Sequence, residues 1–197
     1  MNQRLVIFTV MFFIVLGACS SCFAQSRYRI LPEQSFMNAS LTYAMFPRIE
    51  ARFKEFSGTV YFHPDQIEKA SVLIKVKTKS VDTGKSVWDK IIRSSRLLDA
   101  KNYPDMVLRS DKIIQTKEGY IVIGSLDLHG ARHQVKFPFY VEGPFDDRQG
   151  QYIKAFGQWE FNRKDYGVIW HDLLDKGGVV VGDIVTLDWE LSARLDK

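Results

Sequence analysis

Apolar and polar residues alternate along most of the chain. The segment IVTLDWELSA, residues 184–193, places Val185, Leu187 and Trp189 on one face of an extended strand and polar residues on the other. A repeat of two residues is typical of a strand with one buried face. The same alternation occurs in residues 37–43, 49–62, 70–78, 106–114, 120–128, 133–141 and 153–161. The pattern therefore predicts about eight strands.

One segment has helical spacing instead. In SVWDKIIRSSRLL the apolar residues recur at intervals of three to four, as on one face of a helix. We expect one or two short helices between Ser86 and Leu98, and a return to extended chain after Pro104. The predicted fold is all-β: an eight-stranded antiparallel barrel with one short helical crossover, in which closure removes exposed strand edges.

The first residues of the chain have the pattern of an export signal. Arg4 is followed by an apolar run from Leu5 to Leu16 and then by small residues. The run is shorter than the roughly 20 apolar residues that a membrane-spanning helix needs. We therefore predict a signal peptide at residues 1–24, a domain at residues 25–197 and a periplasmic location.

Two cleavage sites fit this region. Cys22-Phe23-Ala24 suits ordinary signal peptidase, whereas Leu16-Gly17-Ala18-Cys19 resembles the signal of a lipoprotein that would be anchored through Cys19. We favour cleavage after Ala24, because a strand is expected to begin near Tyr28 and would leave a lipidated Cys19 an unusually short tether. The lipoprotein stays the alternative.

Composition narrows the classes of partner. The chain carries 27 Lys and Arg against 23 Asp and Glu, and its net charge of +4 is spread along the sequence. Nucleic-acid-binding proteins concentrate basic residues in dense patches, so we predict no nucleic-acid partner. Both cysteines, Cys19 and Cys22, precede the favoured cleavage site, so the exported domain is expected to fold without disulfides.

His129 and His133 have the spacing of two zinc ligands on a helix. They lie, however, between two alternating segments with Gly130 at the bend, a pattern that predicts a hairpin turn. The remaining histidines, His63 and His171, are distant in sequence. We therefore predict no metal site and expect His129 and His133 to be solvated turn residues.

The sequence does not favour an enzyme. It contains no G-x-S-x-G motif and, after the predicted cleavage, no cysteine nucleophile. The paired acids Asp146 and Asp147 lie in a Gly- and Pro-rich segment and are expected to be solvated turn residues. We predict a protein without catalytic activity, and an enzyme of unknown reaction is the least favoured alternative.

Five ordered motifs resemble the YceI family of periplasmic, lipocalin-like barrels, and the likeness covers residues 28–195. The matching residues are Phe53, Phe56, Gly58 and Phe62; Ser80, Val81 and Thr83; Asp99, Ala100, Tyr103, Pro104 and Ser110; Gly124, Leu126 and Gly130; and Asn162, Arg163, Asp165 and Gly167.

The resemblance implies a barrel around a long apolar tunnel that holds an amphiphilic lipid, such as a polyisoprenoid, a quinone-like molecule or an isoprenyl phosphate. No other cofactor is implied. If the alternation holds, the interior side chains that would contact this ligand are Leu41, Tyr43, Phe53, Val72, Ile74, Val122, Leu126, Phe137, Phe139, Trp159, Leu187 and Trp189.

Arg163 is the polar candidate. Its planar guanidinium suits either a carboxylate or a phosphate, so it is expected to pair with Asp165 or Asp99 in a turn or to meet an anionic head group. A role in the turn is favoured.

The chain departs from the family pattern near its start. Gln34-Ser35 and Tyr43-Ala44 stand where relatives often carry histidine, and Ala39 and Ala51 stand where Phe and Gly are usual. The choice of head group is therefore left open.

The sequence thus predicts an exported protein that holds an amphiphilic lipid. The alternative is a barrel with a filled core that docks on another protein, and exposed apolar residues on its outer face would favour it. A homodimer and a transient contact with a membrane or a membrane protein are further partners that the sequence leaves open.

Overall fold

The structure is a computed structural model, and it describes residues 25–43, 46–169 and 181–196. For Tyr43, Phe46 and Pro47 the description covers the backbone alone. The predicted signal peptide and Cys19 lie outside the described residues.

The described residues form eleven strands and one α-helix. The strands are β1 (Ser26–Ile30), β2 (Phe36–Tyr43), β3 (Phe46–Phe53), β4 (Phe56–Phe62), β5 (Ser71–Lys77), β6 (Val81–Asp82), β7 (Asp105–Gln115), β8 (Tyr120–Leu128), β9 (Ala131–Asp147), β10 (Gly150–Asn162) and β11 (Ile184–Leu195). The helix is α1 (Ser86–Arg93), and short 3-10 helices span Pro32–Gln34, Pro64–Lys69, Thr78–Ser80 and Arg163–Tyr166. Among these residues no helix is long and apolar enough to cross a membrane.

Eight of the strands close a barrel. The hydrogen-bonded order is β1-β4-β5-β7-β8-β9-β10-β11, and a pairing between β11 and β1 completes the ring. Every neighbouring pair is antiparallel. The prediction of an eight-stranded antiparallel barrel is confirmed.

Strands β2, β3 and β6 lengthen the barrel at one end. β11 pairs with β1 through residues 193–195 and with β2 through residues 186–190. β1 and β2 therefore lie one after the other along the same edge of β11, and both are antiparallel to it. β4 pairs with β1, and β3 pairs with β2. The prediction of one continuous strand over residues 49–62 is therefore wrong.

The break between β3 and β4 has a packing reason. Phe53 and Phe56 are both buried, although a spacing of three would put them on opposite faces of a regular strand. The two exposed residues between them, Lys54 and Glu55, interrupt the strand and allow both rings to enter the core. The backbone of these two residues bonds elsewhere, with the Lys54 N–H donating to the Ser80 carbonyl at 3.2 Å.

The segment between β6 and β7 covers one end of the barrel. It contains one α-helix, α1, followed by turns, and β7 begins directly after Pro104, as predicted. The Asp89 carboxylate holds the start of α1 by accepting hydrogen bonds from the Thr83 N–H at 2.8 Å and the Thr83 hydroxyl at 2.7 Å. We refer to this part of the molecule as the α1 end.

The ladder between β9 and β10 stops part of the way along the barrel. It runs from Asp147↔Gly150 to Tyr140↔Phe156, and no further pairing of these two strands occurs towards the α1 end within the described residues. Pro138 lies two residues beyond Tyr140, and its carbonyl oxygen faces β10 near Gly157. Because proline has no N–H to donate, the ladder ends at this residue.

The turn between β9 and β10 differs from the expectation. β9 continues through the Gly- and Pro-rich segment to Asp147, so Asp147 is not simply a solvated turn residue. Its carboxylate accepts two hydrogen bonds from the Arg194 guanidinium, at 2.6 and 2.9 Å. These hydrogen bonds lower the pKa of Asp147 to about 2.

The lowered pKa of Asp147 predicts a pH dependence. The pKa in the folded protein is below the usual 3.8, so the interaction stabilises the fold fully above about pH 4 and is lost as the pH falls through about 2. We expect the difference in melting temperature between wild type and Asp147→Asn to shrink over this window. An unchanged difference from pH 6 to pH 2 would contradict the assignment.

Candidate ligand-binding cavity

The barrel encloses an elongated apolar cavity of about 280 Å³. Its lining extends from Ile67 in the Pro64–Lys69 helix and Ala70 directly after it, at one end, to Val168 at the α1 end. The interior is thus not completely filled by side chains. Cavities of this kind, apolar and largely preformed, are the usual form of small-molecule sites.

The structure places nearly all of the predicted site residues around this cavity. Twelve of them line it: Leu41, Phe53, Val72, Ile74, Val122, Leu126, Phe137, Phe139, Trp159, Arg163, Leu187 and Trp189. The side chain of Tyr43, the remaining candidate, lies outside the described residues. Contact of these residues with a ligand stays a prediction.

Aromatic rings form one wall of the cavity. Phe137 on β9 stacks on Trp159 of β10, with ring centroids 4.9 Å apart, and meets the edge of Trp189 on β11 at 6.3 Å. Trp159 also stacks on Phe161 at 4.9 Å. This wall spans the part of the barrel in which β9 and β10 share no hydrogen bonds, so ring packing joins the two strands there.

Small side chains line the cavity beside the aromatic wall. Ala39 of β2 pairs directly with Ala51 of β3 and with Leu187 of β11, and all three line the cavity. The methyl groups of Ala39 and Ala51 take up little of the interior and leave room for a ligand at this place.

Sequence reasoning missed the residues that close the α1 end. Trp88 and Ile92 of α1, together with Leu97 and Leu98 after it, line the cavity. The helical spacing of the apolar residues in this segment could have predicted their place in the lining, because an amphipathic helix across a barrel end turns its apolar face towards the interior. A second buried cluster of Leu97, Leu128, Tyr166 and Val168 lies beside it.

Arg163 is buried, with only 3% of its surface exposed, and its partners differ from those expected. It forms a salt bridge with Asp183 at 3.1 Å rather than with Asp165 or Asp99. Its Nη1 donates to the Val168 carbonyl at 2.7 Å and its Nε donates to the Gly182 carbonyl at 3.0 Å. Arg163 thus connects Val168, on its own side of residues 170–180, with Gly182 and Asp183 on the other side.

The turn at His129 and Gly130 is the predicted hairpin, with φ values of 51° and 79° that match a two-residue turn of type I′. The expectation of two solvated histidines is wrong for His129. Its Nδ1 is 3.2 Å from the Tyr166 carbonyl oxygen, and its ring packs on Tyr103 at 4.6 Å. His133 is exposed and meets the edge of the Tyr166 ring at 4.9 Å.

These contacts predict unequal effects of replacing the two histidines. His129→Ala is expected to lower the free energy of unfolding by about 1 kcal/mol, because it removes a hydrogen bond and a ring contact. His133→Ala, at an exposed position, is expected to change it by less than about 0.5 kcal/mol. Urea denaturation of both variants measures the difference, and equal effects would contradict the role of His129.

The described residues contain no group of three or more His, Cys, Asp or Glu side chains placed to hold a metal ion. Burial raises the pKa of Tyr166 to about 12, with the Asp165 carboxylate contributing. The Tyr166 hydroxyl is therefore protonated at neutral pH and does not act as a base there.

Comparison with known proteins shows that residues 28–193 match the family described as the YceI-like domain. A UPF0312 protein of Serratia proteamaculans is 26% identical over 156 residues, which are 79% of this chain and 81% of that protein. A UPF0312 protein of Vibrio cholerae is 28% identical over 134 residues, 67% of this chain and 71% of that protein.

Two solved structures share the fold. BcnA of Burkholderia cenocepacia superposes with a TM-score of 0.74 at 23% identity and covers 83% of this chain and 98% of its own. A polyisoprenoid-binding domain from Saccharophagus degradans superposes with a TM-score of 0.67 at 16% identity and covers 87% of this chain and 99% of its own.

Proposed function

Because the chain belongs to the YceI-like family, we propose that it is a binding protein that carries an amphiphilic lipid with an isoprenoid tail inside its barrel. The observation that carries the proposal is the long apolar cavity, which is lined on one side by the rings of Phe137, Trp159 and Trp189. The polyisoprenoid-binding neighbour with the same fold supports this ligand class.

The shape and chemistry of the cavity suit such a ligand. Burial of an isoprenoid tail stabilises a complex by roughly 25 cal/mol per Å² of apolar surface, before the entropic costs of association are subtracted. A preformed interior lowers those costs, since few side chains must be ordered on binding. An extended apolar chain needs few directed contacts, which fits a lining with few polar groups.

Displacement of a fluorescent probe tests the proposal. The neutral dye N-phenyl-1-naphthylamine is expected to gain fluorescence in the cavity, and geranylgeraniol is expected to displace it at micromolar concentrations. Ala39→Phe, which places a ring in the cavity wall, should weaken the binding of both ligands. Failure of both dye and geranylgeraniol to bind the delipidated wild-type protein would contradict the proposal.

We also propose export to the periplasm, with the mature chain beginning at Gln25. Support comes from the apolar run after Arg4 and from β1, which begins at Ser26 and pairs with Phe62 of β4. A strand this near to Cys19 leaves little chain for a lipid anchor. Intact-mass measurement of the protein from both the periplasmic and the detergent-solubilised membrane fractions checks the proposal, and a membrane-bound form with the mass of an acylated Cys19 would favour the lipoprotein.

The docking barrel is the second candidate, and aromatic residues on the outer face favour it. Tyr140, 45% exposed, stacks on Phe156 at 5.5 Å, and Phe145, 39% exposed, packs against Tyr152 at 5.4 Å. Sedimentation of wild type and Tyr140→Ser tests whether this face binds a second copy of the chain. A dimer lost in Tyr140→Ser, with geranylgeraniol binding absent in both proteins, would place docking first.

A further inference from the structure

The cavity offers almost no polar chemistry to a ligand. Its described lining contains one charged side chain, that of Arg163, and two hydroxyl groups, those of Ser40 and Ser71. The Ser40 hydroxyl faces the Thr186 carbonyl oxygen at 3.4 Å. Recognition of an anionic head group within the described lining would therefore depend on Arg163.

The charge of Arg163 is already compensated within the fold. Its Nη2 donates to the Asp183 carboxylate at 3.1 Å and lies 3.5 Å from the Val181 carbonyl oxygen. With Nε and Nη1 bonded to the Gly182 and Val168 carbonyls, all three guanidinium nitrogens have protein acceptors. These four acceptors leave one N–H of Nη1 for a ligand, so a phosphate that made a second hydrogen bond to Arg163 would have to displace one of them, and it would meet the Asp183 carboxylate on the same guanidinium.

If the barrel carries an isoprenoid lipid, as proposed above, the compensated charge of Arg163 limits which head group the lipid can have. Among the described lining residues, a phosphate within the cavity would find no cation without a partner, and its desolvation there would be costly. A hydroxyl or quinone carbonyl loses far less on leaving water and is satisfied by one hydrogen bond. We infer that the barrel selects an isoprenoid with an uncharged head group, of the polyprenol or quinone class, over an isoprenyl phosphate.

Two ligands with the same tail test the inference. Geranylgeraniol and geranylgeranyl monophosphate are titrated, below the concentration at which either aggregates, against N-phenyl-1-naphthylamine bound to delipidated wild-type protein. We expect the phosphate to bind at least about tenfold more weakly than the alcohol, because of its uncompensated charge. Equal or tighter binding of the phosphate overturns the inference and leaves the proposed function standing.

Asp183→Asn tests the role that the inference gives to charge compensation. The substitution leaves Arg163 and the partly exposed Lys164 without the carboxylate that they share, and affinity for the phosphate is expected to rise about tenfold, the effect of one charge-assisted hydrogen bond. The rise should persist when Asp183→Asn is combined with Lys164→Met, because only Arg163 lines the cavity. Affinity for geranylgeraniol should stay unchanged. Asp165→Asn is the matched control: it changes the net charge equally and should alter phosphate binding less than about twofold, since Asp165 is not bonded to Arg163.

Each result has a distinct meaning. An increase in phosphate affinity in both variants would show a general effect of net charge, and no increase in Asp183→Asn would show that Arg163 does not face the head group; either overturns the role of Arg163. If neither lipid displaces the dye from wild type, the proposed function fails and the inference fails with it.

Discussion

Arg163→Met is expected to lower the free energy of unfolding by about 2–5 kcal/mol, because two backbone carbonyls each lose a charged donor, at about 1–3 kcal/mol for each acceptor left unpaired. The variant leaves the Val168 and Gly182 carbonyls without their donor and the Asp183 carboxylate without its buried partner. Unpaired buried acceptors are costly in themselves. Urea denaturation followed by tryptophan fluorescence measures the loss.

Two further variants separate the contribution of Arg163 from a general charge effect. Lys164→Met removes the other cation that pairs with Asp183, but its side chain is 42% exposed, so we expect a loss below about 1 kcal/mol. Arg163→Lys keeps the charge without the planar donor fork and should fall between the two. A loss below about 1 kcal/mol in Arg163→Met would contradict the role assigned to this residue.

Val122→Trp is expected to obstruct the cavity. Val122 lies on β8, is 4% exposed and lines the cavity. The indole ring of a Trp at this position therefore enters the interior. Affinity for geranylgeraniol should fall about tenfold or more. The fold should survive with a loss of stability below about 1 kcal/mol, because the ring enters space that is empty without ligand.

The opposite result identifies a filled core. Overpacking of a fully packed interior costs about 1–3 kcal/mol or more, so strong destabilisation of Val122→Trp would contradict the cavity. Leu73→Trp is the matched control, since Leu73 lies on β5, is 45% exposed and would direct a ring into water. It should affect neither stability nor binding appreciably.

The alternation of residues was sufficient to predict most of the barrel. It placed Val122, Phe137 and Trp189 on the inner face, where the structure has them, because a strand with one buried face leaves a regular trace in the sequence. The limits of β8, Tyr120–Leu128, agree with the prediction.

Alternation failed where a local break or a polar segment obscured it. The interruption at Lys54 and Glu55 has no turn residue to mark it, and the Gly and Pro after Glu142 indicated a turn inside what is the continuous strand β9. In both places tertiary pairing decides the backbone path against the local signal.

Long-range contacts of the site could not be predicted from one sequence. Arg163 has Asp165 two residues away, and the sequence gives no reason to prefer Asp183, 20 residues further along the chain. The contact of His129 with the Tyr166 carbonyl likewise joins segments 37 residues apart. Such pairings follow from the strand order, in which β8 and β10 flank β9 and both finish at the α1 end.

The lipid content of the protein as cells produce it tests the central claim most directly. Protein purified from the periplasm without detergent is extracted with organic solvent, and the extract is analysed by mass spectrometry beside an extract of Val122→Trp. We predict close to one isoprenoid lipid per wild-type molecule and a strongly reduced amount in Val122→Trp. Wild-type protein that carries no lipid from the cell and binds none in solution would contradict the proposed function.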